Sequence, residues 1–317
     1  MTLLKTLLRL TAFAATLAAG PVLAQSDVAF RPLTAADPAG LPLEGGVWLP
    51  ADAEPGRPYP LVVMSHGNGG IYSGHSDTAE ALAAAGFIVA AVNHTGDNYR
   101  DQSRASEVID RPRQLSVLID HMVSARDGPP VDPTRIGAFG FSSGGFTVLA
   151  AAGGRPDLRR VLDHCRDHPD FYDCRLIRNQ PPSTDQADRA WAHDTRIRAV
   201  VAAAPALGYT FTREGLTDVT QPVQLWRAGQ DRVLPHPYYA QAVHDALPTS
   251  PEYHVVEAAD HFDFLPPCSP QLEAAAPIIC QLTPGLDRAT FHGTFNAEVV
   301  AFFTRTLSHV EPANPAR

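Results

Sequence analysis

The sequence is almost without lysine: among 317 residues the single one is Lys5. Because Lys5 lies in a segment with the features of a removable export signal, we expect the mature chain to contain none. Chemistry that needs an amine nucleophile or a phosphate-binding lysine is then excluded, which removes Schiff-base and pyridoxal catalysis, Ser-Lys dyads, the Walker A loop and the protein-kinase site. The formal net charge of −9 makes nucleic acid and anionic membranes poor partners.

Long hydrophobic runs are also lacking, since no stretch reaches the ~18–20 apolar residues that a membrane span requires. The apolar run at 10–20 follows Lys5 and Arg9 and precedes small side chains at Val22 and Ala24. This order predicts a secretory signal cleaved after Ala24, with a membrane anchor as the alternative. We therefore expect a periplasmic or extracellular protein without a stable membrane span.

Cysteine is scarce, with four residues in the chain. Export would allow disulfides to persist. Cys165 is close in sequence to Cys174, and Cys268 to Cys280, which favours two local bridges, although four cysteines permit three connectivities. Neither pair has the Cys-x-x-Cys or His-x-x-x-His spacing of a zinc site, so no metal is expected.

Short runs rich in Val, Ala and Ile alternate with stretches of helical spacing from Leu61 onward. This alternation predicts an α/β fold with a mostly parallel sheet and helices on both faces. Continuous apolar runs suit strands buried on both sides. The predicted parallel strands are 61–65, 87–92, 135–139, 197–203, 223–227 and 253–257, preceded by antiparallel strands at 28–33 and 43–49. The predicted helices are 75–85, 112–124, 143–152, 236–246 and 288–307.

One interval, residues 153–196, interrupts this alternation. It is rich in charge and proline and contains Cys165 and Cys174. Long loops inside compact domains are usually lids or binding loops. We predict that 25–317 form one domain in which 153–196 are a cap over the C-terminal edge of the sheet, held by a local disulfide. A solvated excursion without a role is the alternative.

A Gly-x-Ser-x-Gly motif at 140–144 follows a predicted strand and precedes a predicted helix. In this context the motif forms a nucleophile elbow. A tight turn around a strained serine needs small neighbours, which Gly140 and Gly144 provide. The motif therefore favours Ser142 as a nucleophile at a helix N-terminus, where the helix dipole favours developing negative charge. A plain strand-to-helix turn is the alternative.

A glycine-rich loop at 67–70 follows the first parallel strand. Such a loop can turn a main-chain N–H toward the nucleophile, and we expect an oxyanion hole formed by the N–H groups of Asn68 and Ser143. A dinucleotide-binding loop is the competing interpretation, but Tyr72 replaces the last glycine of that fingerprint. His66 precedes the nucleophile in the chain and is interpreted as a brace for this loop rather than as the base.

The base and its orienting acid are expected on loops after later strands. Asp231 lies in the turn after the fifth parallel strand, and His261 lies in the loop after the sixth. We predict a triad of Ser142, Asp231 and His261. Asp260 and Asp263 are the rivals for the acid, and a helix N-cap is the alternative role for Asp231.

Because of these motifs, the chain resembles the α/β-hydrolase superfamily. Within that superfamily it resembles exported bacterial serine hydrolases that are often labelled predicted dienelactone hydrolases. Those proteins are similar to platelet-activating-factor acetylhydrolases. The resemblance extends from about residue 61 to residue 303 and rests on 65–69, 92–96, 110–112, 140–145, 229–231 and 260–265 followed by Cys268. It implies the same triad and the same oxyanion amides. This chain departs from the family in two ways. Dienelactone hydrolases use a cysteine nucleophile, whereas this chain has Ser142. The elbows of the related proteins commonly have His where this chain has Phe141, and this phenylalanine predicts a more apolar floor beside the nucleophile.

These features predict a secreted serine hydrolase that cleaves carboxylic esters, of small molecules or lipids, through an acyl-enzyme and without a cofactor. Amide or peptide hydrolysis by the same triad is the first alternative, because the first half-reaction is shared. A non-catalytic binding module on the same fold is the second. The sequence does not indicate an oligomeric state.

Overall fold

The computed structural model describes residues 28–308, apart from the side chain of Ala187, and within them eight strands form one sheet. Its order is β1-β2-β4-β3-β5-β6-β7-β8. Strand β2 is antiparallel to β1 and β4, and every other pair is parallel. The strands are β1 (Ala29–Ala35), β2 (Leu43–Leu49), β3 (Tyr59–Ser65), β4 (Ile88–Val92), β5 (Val131–Phe141), β6 (Ile197–Ala203), β7 (Val223–Ala228) and β8 (Glu252–Val256).

Helices cover both faces of the sheet. They are α1 (Ser76–Ala84), α2 (Arg111–Ser124), α3 (Ser143–Ala151), α4 (Arg160–Asp167), α5 (Tyr172–Asn179), α6 (Ala240–Ala246), α7 (Pro270–Ala275) and α8 (Arg288–Thr306). Helices α1 and α8 pack on one face, and α2, α3 and α6 on the other. The predicted α/β class, with its two leading antiparallel strands and its mostly parallel sheet, is confirmed.

The core lies in two layers because the apolar strands are buried on both sides. Along β3, Leu61 and Val63 belong to one cluster, while Val62 and Met64 belong to the other. Successive side chains of a strand point to opposite faces, so a continuous apolar run serves both layers. Each fully buried Val or Leu of this kind contributes roughly 1.5–3 kcal/mol.

Helix α6 starts later in the chain than the sequence predicts. It begins at Ala240 rather than at residue 236. Pro237 has no N–H to donate and disfavours helical geometry at His236, so the first turn of the predicted helix does not form. Helix α7 and the short 3₁₀ turns have no periodic apolar signal long enough to predict them.

Residues 153–196 contain α4, α5 and a short 3₁₀ helix at Gln186–Asp188. A disulfide joins Cys165 of α4 to Cys174 of α5, and a second one joins Cys268 to Cys280. The segment that carries α4 and α5 is called the α4–α5 insertion below. The signal predicted at 1–24 lies outside the described residues. From 28 to 308, no helix has the length and hydropathy needed to cross a membrane.

Candidate active site

Ser142 occupies the turn between β5 and α3, with φ 55° and ψ −119°. Residues other than glycine rarely adopt positive φ, and such strain persists only where neighbouring structure holds it. The Ser142 N–H donates to Ala203 O at 2.9 Å. Its carbonyl oxygen accepts from Phe146 N at 3.1 Å and from Ala206 N at 3.0 Å. The main chain therefore fixes Ser142 at the N-terminus of α3.

The small residues of the elbow are required by close main-chain contacts. A Cβ on Gly140 would overlap the Gly144 carbonyl oxygen, and one on Gly144 would overlap the Ser65 carbonyl oxygen. A Cβ on Gly145 would lie 2.9 Å from Pro205 Cα. These glycines allow α3 to approach the ends of β3 and β6, which is the steric requirement that the motif predicts.

The three side chains of the predicted triad meet at this turn. His261 Nε2 lies 3.1 Å from Ser142 Oγ, and His261 Nδ1 lies 2.8 Å from Asp231 Oδ2. A carboxylate only accepts hydrogen bonds, so the imidazole proton belongs on Nδ1 and Nε2 is left to accept from the Ser142 hydroxyl. All three side chains are buried or nearly so. The arrangement can remove a proton from Ser142.

Asp231 is itself fixed by its own loop. Its Oδ1 accepts from Val233 N at 3.0 Å and from Leu234 N at 2.6 Å. The alternative role of Asp231 is a helix N-cap, but α6 begins nine residues later, at Ala240. Asp231 Oδ1 therefore accepts from the main chain of a tight turn and not from that of a helix. One carboxylate oxygen holds the turn while the other faces the imidazole.

The rival acids bind the main chain of the histidine loop instead. Asp260 Oδ1 accepts from His261 N at 2.8 Å and from Arg232 N at 2.9 Å. Burial favours a higher pKa for Asp260, but these two amides and the Arg232 guanidinium together hold the pKa below its usual value. Asp263 Oδ2 accepts from Asp260 N at 2.9 Å, while its Oδ1 pairs with Arg288. Both carboxylates shape the loop that carries the imidazole.

The glycine-rich loop lies beside the nucleophile. A Cβ on Gly67 would be only 3.3 Å from Ser142 Cβ, so Gly67 lies directly against the nucleophile. Asn68, the next residue, therefore lies at the edge of the site. Within residues 28–308, the main-chain N–H groups of Asn68 and Ser143 donate to no other protein atom. Unused amides beside a nucleophile are the donors that an oxyanion hole requires.

A buried ion pair under this loop was not predicted. The carboxylate of Asp97 accepts from Asn68 Nδ2 at 2.8 Å, from Gly69 N at 2.7 Å and from the Arg111 guanidinium. Arg111 also donates to the His66 carbonyl oxygen and, at 3.0 Å, to Thr147 Oγ1 on α3. Burial lowers the pKa of Arg111, and Asp97 opposes that effect. The pair connects the loop to α2 and α3.

One sequence signal could have identified Arg111. It begins α2 and shares a buried helix face with Leu115, Leu118 and Met122. An arginine on an apolar helix face is buried only when it is paired, so this spacing indicates a buried partner. Asp97 carries no such signal, because it lies in an irregular loop.

His66 braces the loop, as the sequence predicts. Its Nδ1 lies 2.7 Å from Gly67 O, and its Nε2 accepts from His94 N at 3.1 Å. The His94 ring is held between Ser65 Oγ and Gln114 Oε1, each at 2.8 Å. Burial, with a contribution from Arg111, lowers the pKa of His66 to about 3 and that of His94 well below its usual value. Both rings are therefore neutral braces.

Phe141 packs against the imidazole of His261, directly beside the nucleophile. Its ring is buried and packs on the imidazole, on His75 and on Phe264.

Two clusters in the described residues bring three possible metal ligands together, and neither includes a triad residue. The first is His164, Asp173 and Cys174, in which the thiol is already used in a disulfide. The second is Glu252, His254 and Glu298, in which Glu252 already pairs with Arg305 at 2.6 Å. Neither cluster has three uncommitted ligands.

The sequence comparisons with known proteins match part of the chain. The family model for platelet-activating factor acetylhydrolase, isoform II, matches residues 47–113, which include the loop at 67–70 and the Asp97–Arg111 pair but none of the triad. The uncharacterised protein YcjY of Escherichia coli K12 is 30% identical over 113 residues. That alignment covers 34% of this chain and 36% of the relative, a little over a third of each.

The comparison with solved structures covers nearly the whole chain. A ferulic acid esterase from Streptomyces cinnamoneus superposes with a TM-score of 0.61 over 94% of this chain and 96% of that one, at 20% sequence identity. At this identity the likeness shows the fold. The chain thus has an α/β fold similar to that of an esterase, and it carries a stretch similar to the acetylhydrolase family.

Proposed function

We propose that the protein is a serine hydrolase that cleaves carboxylic esters through an acyl-enzyme at Ser142. The observation that carries the proposal is the continuous path from Asp231 Oδ2 to His261 Nδ1 and from His261 Nε2 to Ser142 Oγ, with separations of 2.8 and 3.1 Å. It ends on a serine held in a strained elbow. The similarity to the acetylhydrolase family model and the fold shared with a ferulic acid esterase support ester chemistry.

The proposed reaction has two halves. His261 accepts the Ser142 proton as Oγ attacks the ester carbonyl, and the amides of Asn68 and Ser143 stabilise the oxyanion. His261 then protonates the leaving alkoxide, which leaves the acyl group on Ser142. Water enters, loses a proton to His261 and attacks the acyl carbonyl. The bond to Ser142 Oγ then breaks as His261 returns this proton to Oγ, so that the acid is released and both residues are restored. Asp231 keeps the imidazole in its Nδ1–H tautomer and stabilises the imidazolium.

We further propose that the chain acts outside the cytoplasm, as a single domain whose α4–α5 insertion caps the site. Both disulfides are compatible with an oxidising compartment. The substrate is proposed to be a small-molecule or lipid ester. The sequence prediction of a signal at 1–24 is consistent with this compartment.

Replacement of Ser142 by Ala tests the chemistry. We expect Ser142→Ala to fold and to lose nearly all hydrolysis of p-nitrophenyl esters, and to lose labelling by a fluorophosphonate. A folded Ser142→Ala variant that kept most of its turnover would contradict the proposal. Ester and amide analogues with the same acyl group then separate esterase from amidase activity. If wild-type protein is not labelled and turns over neither analogue, the binding-module alternative is favoured.

A further inference from the structure

A side chain of the α4–α5 insertion forms a hydrogen bond with the candidate oxyanion loop. Tyr172, the first residue of α5, places its hydroxyl 2.7 Å from Asn68 Oδ1, across 104 positions of sequence. Asn68 is the residue whose main-chain N–H is the candidate oxyanion donor and has no acceptor among the described residues. The insertion therefore reaches the residue on which the oxyanion hole depends.

The orientation of the Asn68 side chain is fixed from both ends. Its Nδ2 donates to Asp97 Oδ1 at 2.8 Å, so its Oδ1 must face Tyr172 and accept from the phenol. The Tyr172 side chain is partly exposed at the surface, and partial desolvation with the nearby Asp97 carboxylate raises the pKa of its phenol, which stays protonated and able to donate. Gly69 N also donates to Asp97 Oδ1 at 2.7 Å, which fixes the following peptide. Both ends of the Asn68 side chain and the peptide that follows it are therefore held by hydrogen bonds.

Tyr172 is itself held in place by the two residues that follow it. The buried Asp173 accepts from Tyr209 Oη at 2.8 Å and from Tyr239 Oη at 2.9 Å, and both phenols belong to the α/β core. Cys174 is joined by a disulfide to Cys165 of α4. Three consecutive residues thus contact the oxyanion loop, the core and the neighbouring helix.

We propose that Tyr172 is a positioning residue for the oxyanion hole, acting through the Asn68 side chain to hold the Asn68 N–H in the direction of the developing oxyanion. This inference rests on the proposed ester-hydrolase function. It assigns to the α4–α5 insertion a part in the chemical step in addition to covering the site. Loss of the hydroxyl should therefore reduce kcat and leave KM nearly unchanged, because the donor acts on the transition state.

The test is a double-mutant cycle on p-nitrophenyl acetate hydrolysis with Tyr172→Phe, Asn68→Ala and the pair together. Tyr172→Phe keeps the ring and removes the donor, and Asn68→Ala keeps the main-chain N–H and removes the side chain. A matched control is Tyr253→Phe, which removes a phenol that donates to the Gln241 side-chain oxygen at 3.2 Å near β8. Circular dichroism and thermal unfolding verify that each variant is folded.

We expect Tyr172→Phe to lower kcat by about fivefold to tenfold, the contribution of one hydrogen bond, with KM changed by less than about twofold. The double variant should match Asn68→Ala, because the hydroxyl acts only through that side chain. Tyr253→Phe should retain wild-type kcat. A Tyr172→Phe enzyme with wild-type kcat, or losses that multiply in the double variant, would overturn the inference. Wild-type protein that neither hydrolyses the ester nor reacts at Ser142 with a fluorophosphonate would refute the proposed function instead.

Discussion

The ring of Phe141 packs against the imidazole of His261, with 4.8 Å between the ring centroids and 35° between the ring planes. Phe141 directly precedes the nucleophile in the chain. The turn that presents Ser142 therefore also provides the ring against which His261 packs. The same phenyl ring contacts His75 and Phe264, and it is almost fully buried. The elbow therefore fixes two members of the triad at once.

Shortening this ring should weaken the site as well as the fold. We expect Phe141→Leu to cost about 1–2 kcal/mol of unfolding free energy through lost packing. We also expect kcat to fall by about tenfold, since a slightly displaced base reacts more slowly. Urea unfolding and ester kinetics measure the two effects. Phe302→Leu, an equally buried change on α8, is the control and should leave kcat unchanged. Wild-type kcat in Phe141→Leu would contradict the role given to this contact.

The roles of Asp231 and Asp260 can be distinguished by replacing each of them with asparagine. Asp231→Asn should lower kcat by about 10³- to 10⁴-fold, because an amide facing His261 Nδ1 favours the wrong tautomer. Asp260→Asn should cost less than about tenfold, since Asp260 binds the main-chain N–H of His261 and not its ring. Steady-state kinetics on one ester provide the comparison. A larger loss at Asp260 than at Asp231 would reverse the assignment.

The strain at Ser142 predicts a difference between two inactive variants. Both Ser142→Ala and Ser142→Gly lose the nucleophile, but only glycine adopts φ 55° without a steric penalty. We expect Ser142→Gly to be more stable than Ser142→Ala by about 1 kcal/mol. Urea denaturation of the two proteins in one buffer measures the difference. Equal midpoints would mean that the elbow stores no measurable strain.

The sequence predicts most of the fold and the candidate triad, and the reason is local. Ser142 lies between two glycines at the end of an apolar strand, so strand, turn and helix are visible in a few consecutive residues. Asp231 and His261 follow apolar strands in the same way. The parallel sheet then brings these three strand ends to one edge, which is a consequence of topology rather than of any single residue.

The supporting contacts could not be predicted because they join irregular segments. Asp97 and Tyr172 lie in a loop and in the α4–α5 insertion, where neither periodicity nor a neighbouring motif marks a partner. Their relationship through Asn68 depends on where the insertion folds over the sheet. The start of α6 at Ala240 was missed for another reason, because proline effects near Pro237 outweigh the apolar spacing.

Acid should destabilise the protein through its buried imidazoles. Burial lowers the pKa of His66 to about 3 and that of His75 to about 4, from an ordinary value of 6.5. Between pH 6.5 and 4 the unfolded chain therefore binds protons that the folded chain does not, so stability falls as pH falls through this window. Each such histidine costs about 1.4 kcal/mol per pH unit.

Urea midpoints between pH 7 and pH 4.5 measure this slope. His75→Phe replaces a ring that already packs on Phe139 and Phe141, and it should reduce the slope by the share of one histidine. The sign follows from the lowered pKa, since a neutral buried ring is compatible with the fold only while the solution proton concentration is low. A slope unchanged in His75→Phe, or stability that rises on acidification, would contradict this account.

The second disulfide should affect the histidine loop through Arg288. The Arg288 guanidinium donates to Ile279 O at 2.9 Å and to Gln281 O, on either side of Cys280, and it pairs with Asp263 Oδ1 at 2.9 Å. Asp263 in turn accepts from the main chain of Asp260, next to His261. We expect removal of the Cys268–Cys280 bridge by paired serine substitutions to cost about 2–3 kcal/mol of stability, as for a short closed loop.

Removal of this bridge should also lower kcat, because the carbonyl groups that hold Arg288 are released and the support of Asp263 weakens. Arg288→Lys with the bridge intact should lower kcat in the same way, since an ammonium group lacks the planar fork that serves three acceptors. The combined variant should lose little more kcat than either alone, because both changes act along one path. The measurement is kcat for the three variants, at a temperature where all of them are folded. Losses that multiply would show that the bridge and Arg288 act on His261 independently.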